Sequence, residues 1–302
     1  MRRIFRLLKH FYYKIRTSRT ARKFINAAHK KRFSLNPPVI KSNEQEILKT
    51  IADCGVSQCS IEDFFDSEVI KAIENRGNAI REYLIPFMHS KDTKDSGDKN
   101  FLVRYYDHKT HLDIEDPIIL EVIKGRFFNI ARSYLGQDIK ISNIDYWLNF
   151  DNQAQEAPIS SQNWHRDYED ERVLKLFLYF SDVTLNHGPL SYVKGTQKGG
   201  EYSDHFPVSP PLGVSGAEQQ VSDHFDKRKV KEFCVPKGTL LFADTAGMHK
   251  GGFCRGETRF LFTATFTSFA GISPRNYYVD KAAIKPFADN TKKALGYLLN
   301  LK

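Results

Sequence analysis

A His-x-Asp pair, His165 and Asp167, with one further His at position 249, restricts this 302-residue chain more than any other feature. In an extended strand residues i and i+2 face the same side. His165 and Asp167 can therefore reach one ion together while Arg166 points away. His249 lies 84 residues on (249 − 165) and must arrive on a different strand, so the site exists only in the folded chain. Two imidazoles and one carboxylate on one face of a metal suit non-haem Fe(II) and leave coordination positions open. Three protein ligands beside vacant positions are what chemistry at a metal requires. Alone, the tripeptide is equally compatible with a surface turn carrying a solvated Asp, so the flanking sequence has to decide.

The flanking sequence is ordered. Trp164-His165-Arg166-Asp167 precedes Val173–Phe180, which reads as a buried strand. Asn186-His187-Gly188-Pro189 then leads into Leu190-Ser191-Tyr192-Val193 and Lys194-Gly195-Thr196-Gln197-Lys198. Pro236-Lys237-Gly238-Thr239 opens the run to Asp244, and Met248-His249-Lys250-Gly251-Gly252 follows. In the last strand Phe260, Phe262, Ala264 and Phe266 share one face, and Arg259, Leu261, Thr263 and Thr265 share the other. One aromatic and one partly polar face suit a barrel wall around a wet site. A cation turned into such a lumen is costly without an anion. Either an internal Asp or Glu, or a bound carboxylate gripped by the planar guanidinium, resolves that cost for Arg259.

These five motifs, in this order over about residues 139–267, resemble the phytanoyl-CoA dioxygenase family of Fe(II)/2-oxoglutarate oxygenases. The resemblance implies a mostly β fold with flanking helices, a double-stranded β-helix (jelly-roll or cupin-like barrel). It implies that His165, Asp167 and His249 are the metal ligands and catalytic centre. Fe(II), 2-oxoglutarate and O2 would be used, with ascorbate as a supporting reductant, and Arg259 would hold the distal carboxylate of 2-oxoglutarate. Tyr146, Asn149 and Lys175 are candidates for its near end. The residue two after the distal His, often a small hydroxyl in relatives, is Gly251 here. Halogenating relatives replace the metal-binding carboxylate with a small residue, so Asp167 points to hydroxylation, of an aliphatic C–H bond in a small-molecule substrate. A non-catalytic or other-metal binding protein on the same fold is the alternative.

Composition fits one catalytic domain with additions: 41% hydrophobic and 13% aromatic residues indicate a globular chain long enough for a full core. Cys54, Cys59, Cys234 and Cys254 form no CxxC and are too few for a secreted disulfide scaffold, which points to reduced thiols and a cytoplasmic protein. The net charge of +9 is concentrated at one end. Residues 1–32 hold 12 of the 45 Lys and Arg and no acid, leaving 33 basic against 36 acidic residues elsewhere. The basic balance therefore belongs to an arm, here taken as residues 1–35, and no nucleic-acid partner is expected. Ile4, Leu8, Phe11 and Ile15 fall at helical spacing among the basic residues. A basic amphipathic helix of this kind suits an anionic membrane surface, with the protein peripheral at its inner face. A mitochondrial transit peptide and an arm packed on the domain are the other readings.

Residues 36–302 are expected to form the single domain. Asn36-Pro37-Pro38 breaks any helix after the arm. A helical part over 44–135 includes helices at 44–51, 61–85 and 117–135, with Ser60-Ile61-Glu62-Asp63 as the capping signal of the second and a short strand over 101–106. A charged loop spans 90–99. The barrel core follows over about 139–269. Residues 199–229, rich in Gly, Pro, His and charge, separate two core strands and are expected to form an insertion or lid that helps choose the substrate. A lipid or lipid-linked glycan substrate would suit the basic arm.

Overall fold

The computed structural model describes residues 18–88, 99–153, 155, 157–205, 214–216, 218–272, 277–279, 281–287, 289–295 and 299–301. The strands that carry the site are β1 (Val56–Ser60), β2 (Leu102–Arg104), β3 (Ile139–Phe150), β4 (Trp164–Arg166), β5 (Leu174–Tyr179), β6 (Leu190–Val193), β7 (Val214–Gly216), β8 (Val230–Glu232), β9 (Thr239–Asp244), β10 (His249–Gly251) and β11 (Thr258–Ser268). They form two antiparallel sheets, ordered β1-β9-β5-β11-β3-β2 and β7-β4-β10-β6-β8. Helices α1 (Arg19–Leu35), α2 (Ser42–Cys54), α3 (Ser67–Leu84), α4 (Pro117–Lys124), α5 (Arg126–Leu135) and α6 (Glu218–His224) complete this part.

Alternation decides which face meets which layer. Phe260, Phe262, Ala264 and Phe266 of β11 join Leu174, Leu176 and Leu178 of β5, Leu240 and Phe242 of β9, and the apolar stripes of α2 to α5 in one large core. The opposite face sends Leu261, Phe177, Tyr179 and Leu241 into a second cluster shared with Leu190 and Tyr192 of the other sheet. The larger sheet is thus covered by helices on one side and by the smaller sheet on the other. A register shift between Thr265 and Phe266 inserts one extra residue, Ser142, into β3. Its hydroxyl lies 2.7 Å from that of Thr267, and Ile141 and Ile144 both remain in the helix-side core.

The turn motif and the glycines after His249 serve each other. Gly188 has φ +65°, and a Cβ there would come within 2.4 Å of the Gly252 carbonyl oxygen. A Cβ at Gly252 would meet Gly188 backbone at 2.5 Å. Neither backbone can yield, so Gly252→Ala is expected to lower stability by about 1–3 kcal/mol in denaturant unfolding, as overpacking does.

Several boundaries differ from expectation. Residues 56–60, read as preceding a helix, are strand β1 on the sheet edge. Ser60 caps only a 3-10 turn, accepting from Glu62 N, and α3 begins later, capped by Asp66. Gly125 divides the helix expected over 117–135. The strand expected at 101–106 stops at Arg104, where Tyr105 starts a helical turn. The 199–229 insertion is not all loop: it contributes β7, which pairs with β4 beside His165, and α6, whose Val221 and Phe225 neighbourhood packs under Trp164 and Met248. Residues 206–213, its Pro-rich part, and most of the 90–99 loop lie outside the described residues.

The arm, taken as residues 1–35, is described from residue 18. Residues 1–17, with the Ile4–Ile15 stripe, lie outside the described residues, but α1 packs on the domain. Arg22 is buried in an ion pair with Asp170. Asn26 donates to Ser268 Oγ and accepts from Ala270 N, and the His29 ring stacks on Phe269 at 3.7 Å. No helix among the described residues is long and apolar enough to cross a membrane.

Candidate metal and co-substrate site

His165 and His249 meet because β4 and β10 are adjacent. The two residues are direct antiparallel partners, and their rings lie 4.2 Å apart. Asp167 follows β4 and is held by its backbone, N–H donating to Thr245 O at 2.8 Å. Its carboxylate oxygens lie 3.7 Å from His165 Nε2 and 3.8 Å from His249 Nε2. One ligand atom from each residue falls within 4.8 Å of the others, so a single ion can bridge all three.

Each ring is oriented by the chain on either side of it. His165 Nδ1 lies 2.8 Å from Asn163 O, and His249 Nδ1 lies 3.0 Å from Gly247 O. A carbonyl accepts only from a protonated nitrogen, so both contacts put the proton on Nδ1 and leave the Nε2 lone pairs facing the centre. Burial keeps both imidazoles neutral. The His249 pKa falls to about 3, helped by neighbouring His165, and His165 is lowered by burial as well. Burial alone would raise Asp167, but Lys175 and the two imidazoles outweigh it and hold the carboxyl well below its ordinary value. Two neutral imidazoles and an ionised carboxylate are the protonation states a metal needs.

Arg166 points away, as alternation requires. Its guanidinium donates to the carbonyls of Thr196, Ala246 and His205, at 2.5, 2.7 and 2.7 Å, tying three loops around the ligand strand.

Arg259 is buried, and its Nε and Nη1 have no hydrogen-bond partner. Both open possibilities for its anion can now be compared: no Asp or Glu among the described residues pairs with it. A Cβ at Gly251 would sit 3.7 Å from Arg259 Nη2, so the glycine two after His249 leaves that head group room beside the ligand strand. Asn149 is the register partner of Arg259 and shares its face, which puts it at the distal-carboxylate end and not at the near end expected of it. Trp147 and Thr263 lie on this face too, and Trp147 Nε1 and Thr263 Oγ1 are buried without partners. Arg104 of β2, opposite Trp147, holds its guanidinium 5.6 Å from that ring with Nε likewise unpaired. Buried polar atoms are nearly always satisfied. Several unpaired donors share one face of three neighbouring strands, β2, β3 and β11, while others lie elsewhere among the described residues. Those on this face suit an acid with a carboxylate at each end, which is the shape of 2-oxoglutarate, and the residues present therefore fit both metal and co-substrate.

Sequence reasoning missed Arg104 and Trp147. Their facing depends on the β2–β3 register, for which the chain offers no local signal.

Of the two other candidates, one is placed elsewhere. Tyr146 turns to the helix side, packed on Phe260 and Phe262, and its hydroxyl donates to Asp116 Oδ2 at 2.6 Å. It is a core residue because it has the opposite parity to Asn149. Tyr146→Phe is expected to cost about 1–3 kcal/mol of stability by removing one hydrogen bond to the buried Asp116, which keeps Ile118 N and Arg76 as partners, while the KM for 2-oxoglutarate stays unchanged. Lys175 faces the site: its Nζ lies 2.5 Å from Asp167 Oδ2, beside the ligand set and away from the Arg259 end. It meets Thr265 in register, six residues along β11 from Arg259, roughly 20 Å at strand rise. Beside it Glu169 is raised to about 7 by burial and by Asp167.

No curated protein matches the chain. Among solved structures, the non-haem α-ketoglutarate-dependent epimerase SnoN from nogalamycin biosynthesis superposes with TM-score 0.50 at 14% identity, over 75% of this chain and 84% of that one. AviO1 from Streptomyces viridochromogenes Tue57 gives 0.50 at 13% identity, over 78% and 100%. At these identities the likeness concerns the fold. The sequence model of phytanoyl-CoA dioxygenase (PhyH) matches residues 58–259, from within β1 to Arg259, and takes in His165, Asp167 and His249; the chain belongs to the phytanoyl-CoA dioxygenase family.

Proposed function

We propose that the protein is an Fe(II)- and 2-oxoglutarate-dependent dioxygenase that hydroxylates an aliphatic C–H bond of a small-molecule substrate. We read its two facing sheets as the halves of a double-stranded β-helix. The observation that carries the proposal is Arg259, a buried cation without an acid, placed beside a His-Asp-His set whose protonation states suit a metal. His165 Nε2, Asp167 and His249 Nε2 would hold Fe(II), which when bound with 2-oxoglutarate supplies the oxidising power for O2-dependent hydroxylation. Arg259 binds one carboxylate of the co-substrate through its planar fork. Arg104, Trp147 and Thr263 offer donors for its remaining oxygens, and Asn149 adds a neighbouring amide. Lys175 fixes the Asp167 carboxylate by taking one oxygen as a hydrogen-bond acceptor. Tyr179, pushed up to about 12 by burial although Arg259 pulls it down, stays a neutral phenol on the same wall.

The test is succinate formation from 2-oxoglutarate by purified protein with Fe(II), ascorbate and O2. Turnover that requires both Fe(II) and O2 supports the oxygenase. A protein that binds divalent metal and 2-oxoglutarate yet forms no succinate with any candidate substrate would instead be a binding protein on this fold. The presence of Asp167 favours hydroxylation, and identification of the oxidised product separates that outcome from epimerisation, the activity named for SnoN.

A further inference from the structure

We propose that the outward face of α1 is a docking surface for an anionic bilayer. The helix has two faces of different character. Arg22, Asn26 and His29 fix the inner face to Asp170, Ser268, Ala270 and Phe269. The outer face leaves Phe24 84% and Leu35 69% exposed, with Val39 at 89% just beyond. Large apolar side chains at such exposure, on a helix that already has a docked face, are placed for a second apolar environment.

Charge identifies that environment. Arg19, Lys23, Lys30 and Lys31 are exposed around the two apolar residues, and the preceding 17 residues add Arg2, Arg3, Arg6, Lys9, Lys14 and Arg16 without one acid. Two of the arm's cations are already committed to the domain, Arg22 to Asp170 and Arg32 to Asp138, so the remainder are the ones available for a partner. Basic residues interleaved with Phe and Leu suit lipid headgroups over an acyl boundary. A polyanion such as nucleic acid would make no use of Phe24 and Leu35.

The inner-face anchor gives the surface a functional place. Asp170, which Arg22 holds, is three residues beyond the metal ligand Asp167, and Ser268 ends β11 at the opposite end from Arg259. A bilayer on α1 therefore lies on the Asp167–Lys175 side of the site and not on the co-substrate side. Resting on the oxygenase reading, this favours a lipid or lipid-linked substrate, with the protein peripheral at a membrane.

The experiment is co-sedimentation of the full chain with phosphatidylcholine vesicles, with and without phosphatidylserine. The result expected is binding that requires phosphatidylserine and weakens with salt. Lys23→Gln/Lys30→Gln/Lys31→Gln should lower partitioning on the order of a hundredfold, from the loss of three charges near the surface. Phe24→Ser/Leu35→Ser, which leaves the net charge unchanged, should lower it at least about tenfold. All the substituted residues are exposed, and unchanged circular dichroism would show that the fold survives. No binding to anionic vesicles overturns the proposal. So does binding lost with the lysines but untouched by Phe24→Ser/Leu35→Ser, which would describe a general polyanion site. Sedimentation does not depend on turnover, so failure here and failure to form succinate are separate results.

Discussion

His249→Ala is expected to leave a folded protein that no longer holds Fe(II) and forms no succinate. The ring supplies one of three ligand atoms in a buried centre, and no other His, Cys, Asp or Glu cluster among the described residues could replace it. Losing only a hydrogen-bond partner of a metal ligand typically costs roughly 10–100-fold in affinity or activity, so losing the ligand itself should exceed about 100-fold. The substitution is cleaner than removal of Asp167. Asp167→Ala would strand the Lys175 ammonium in a buried position, and an uncompensated buried charge costs about 3–5 kcal/mol. His249 is neutral, its pKa lowered to about 3 by burial, so its loss unpairs no charge. Equilibrium dialysis of Fe(II) with wild type and His249→Ala, beside urea unfolding of both, separates lost ligation from lost fold.

Arg259→Met should produce opposite effects on stability and on co-substrate binding. In the protein alone, Nε and Nη1 are buried with no partner, so replacing the guanidinium by an apolar chain is expected to leave stability equal or higher. With 2-oxoglutarate present the sign reverses. Truncating one partner of a buried, hydrogen-bonded charge pair costs about 2–5 kcal/mol, or roughly 30- to several-thousand-fold in affinity. Thermal unfolding with and without co-substrate shows both effects: wild type rises with 2-oxoglutarate through ligand linkage, and Arg259→Met does not. Arg259→Lys should recover part of the charge and little of the fork. If Arg259→Met instead lost several kcal/mol without any co-substrate, the residue would be a structural ion pair.

What the chain revealed of itself follows from range. His165 and Asp167 were legible because period two is a local property, and β11 was legible because its aromatic and polar faces alternate without interruption. Their order along the chain then placed His249 and Arg259. What required the fold was register. Tyr146 and Asn149 differ only in parity on β3, and the sequence does not say which parity faces the smaller sheet; Ser142 bulges that strand and shifts the parity again below it. The facing of Lys175 was not readable from its own strand, and its contact with Asp167 depends on how β5 registers with β11. Arg104 and Trp147 enter the site through a three-residue edge strand too short to show a pattern. The inner face of the arm required the fold for another reason. The arm's charge asymmetry is real, yet Arg22 and Asn26 are satisfied by groups more than a hundred residues away, which no local window contains.

The most direct test of the account is calorimetry of 2-oxoglutarate binding to the Fe(II)-loaded protein without oxygen, in wild type, His249→Ala and Arg259→Met. The account predicts binding by wild type that depends on the metal, is absent in His249→Ala, and is weakened at least about 30-fold in Arg259→Met. Equal affinity in wild type and Arg259→Met, or no binding by the metal-loaded wild type, would contradict it.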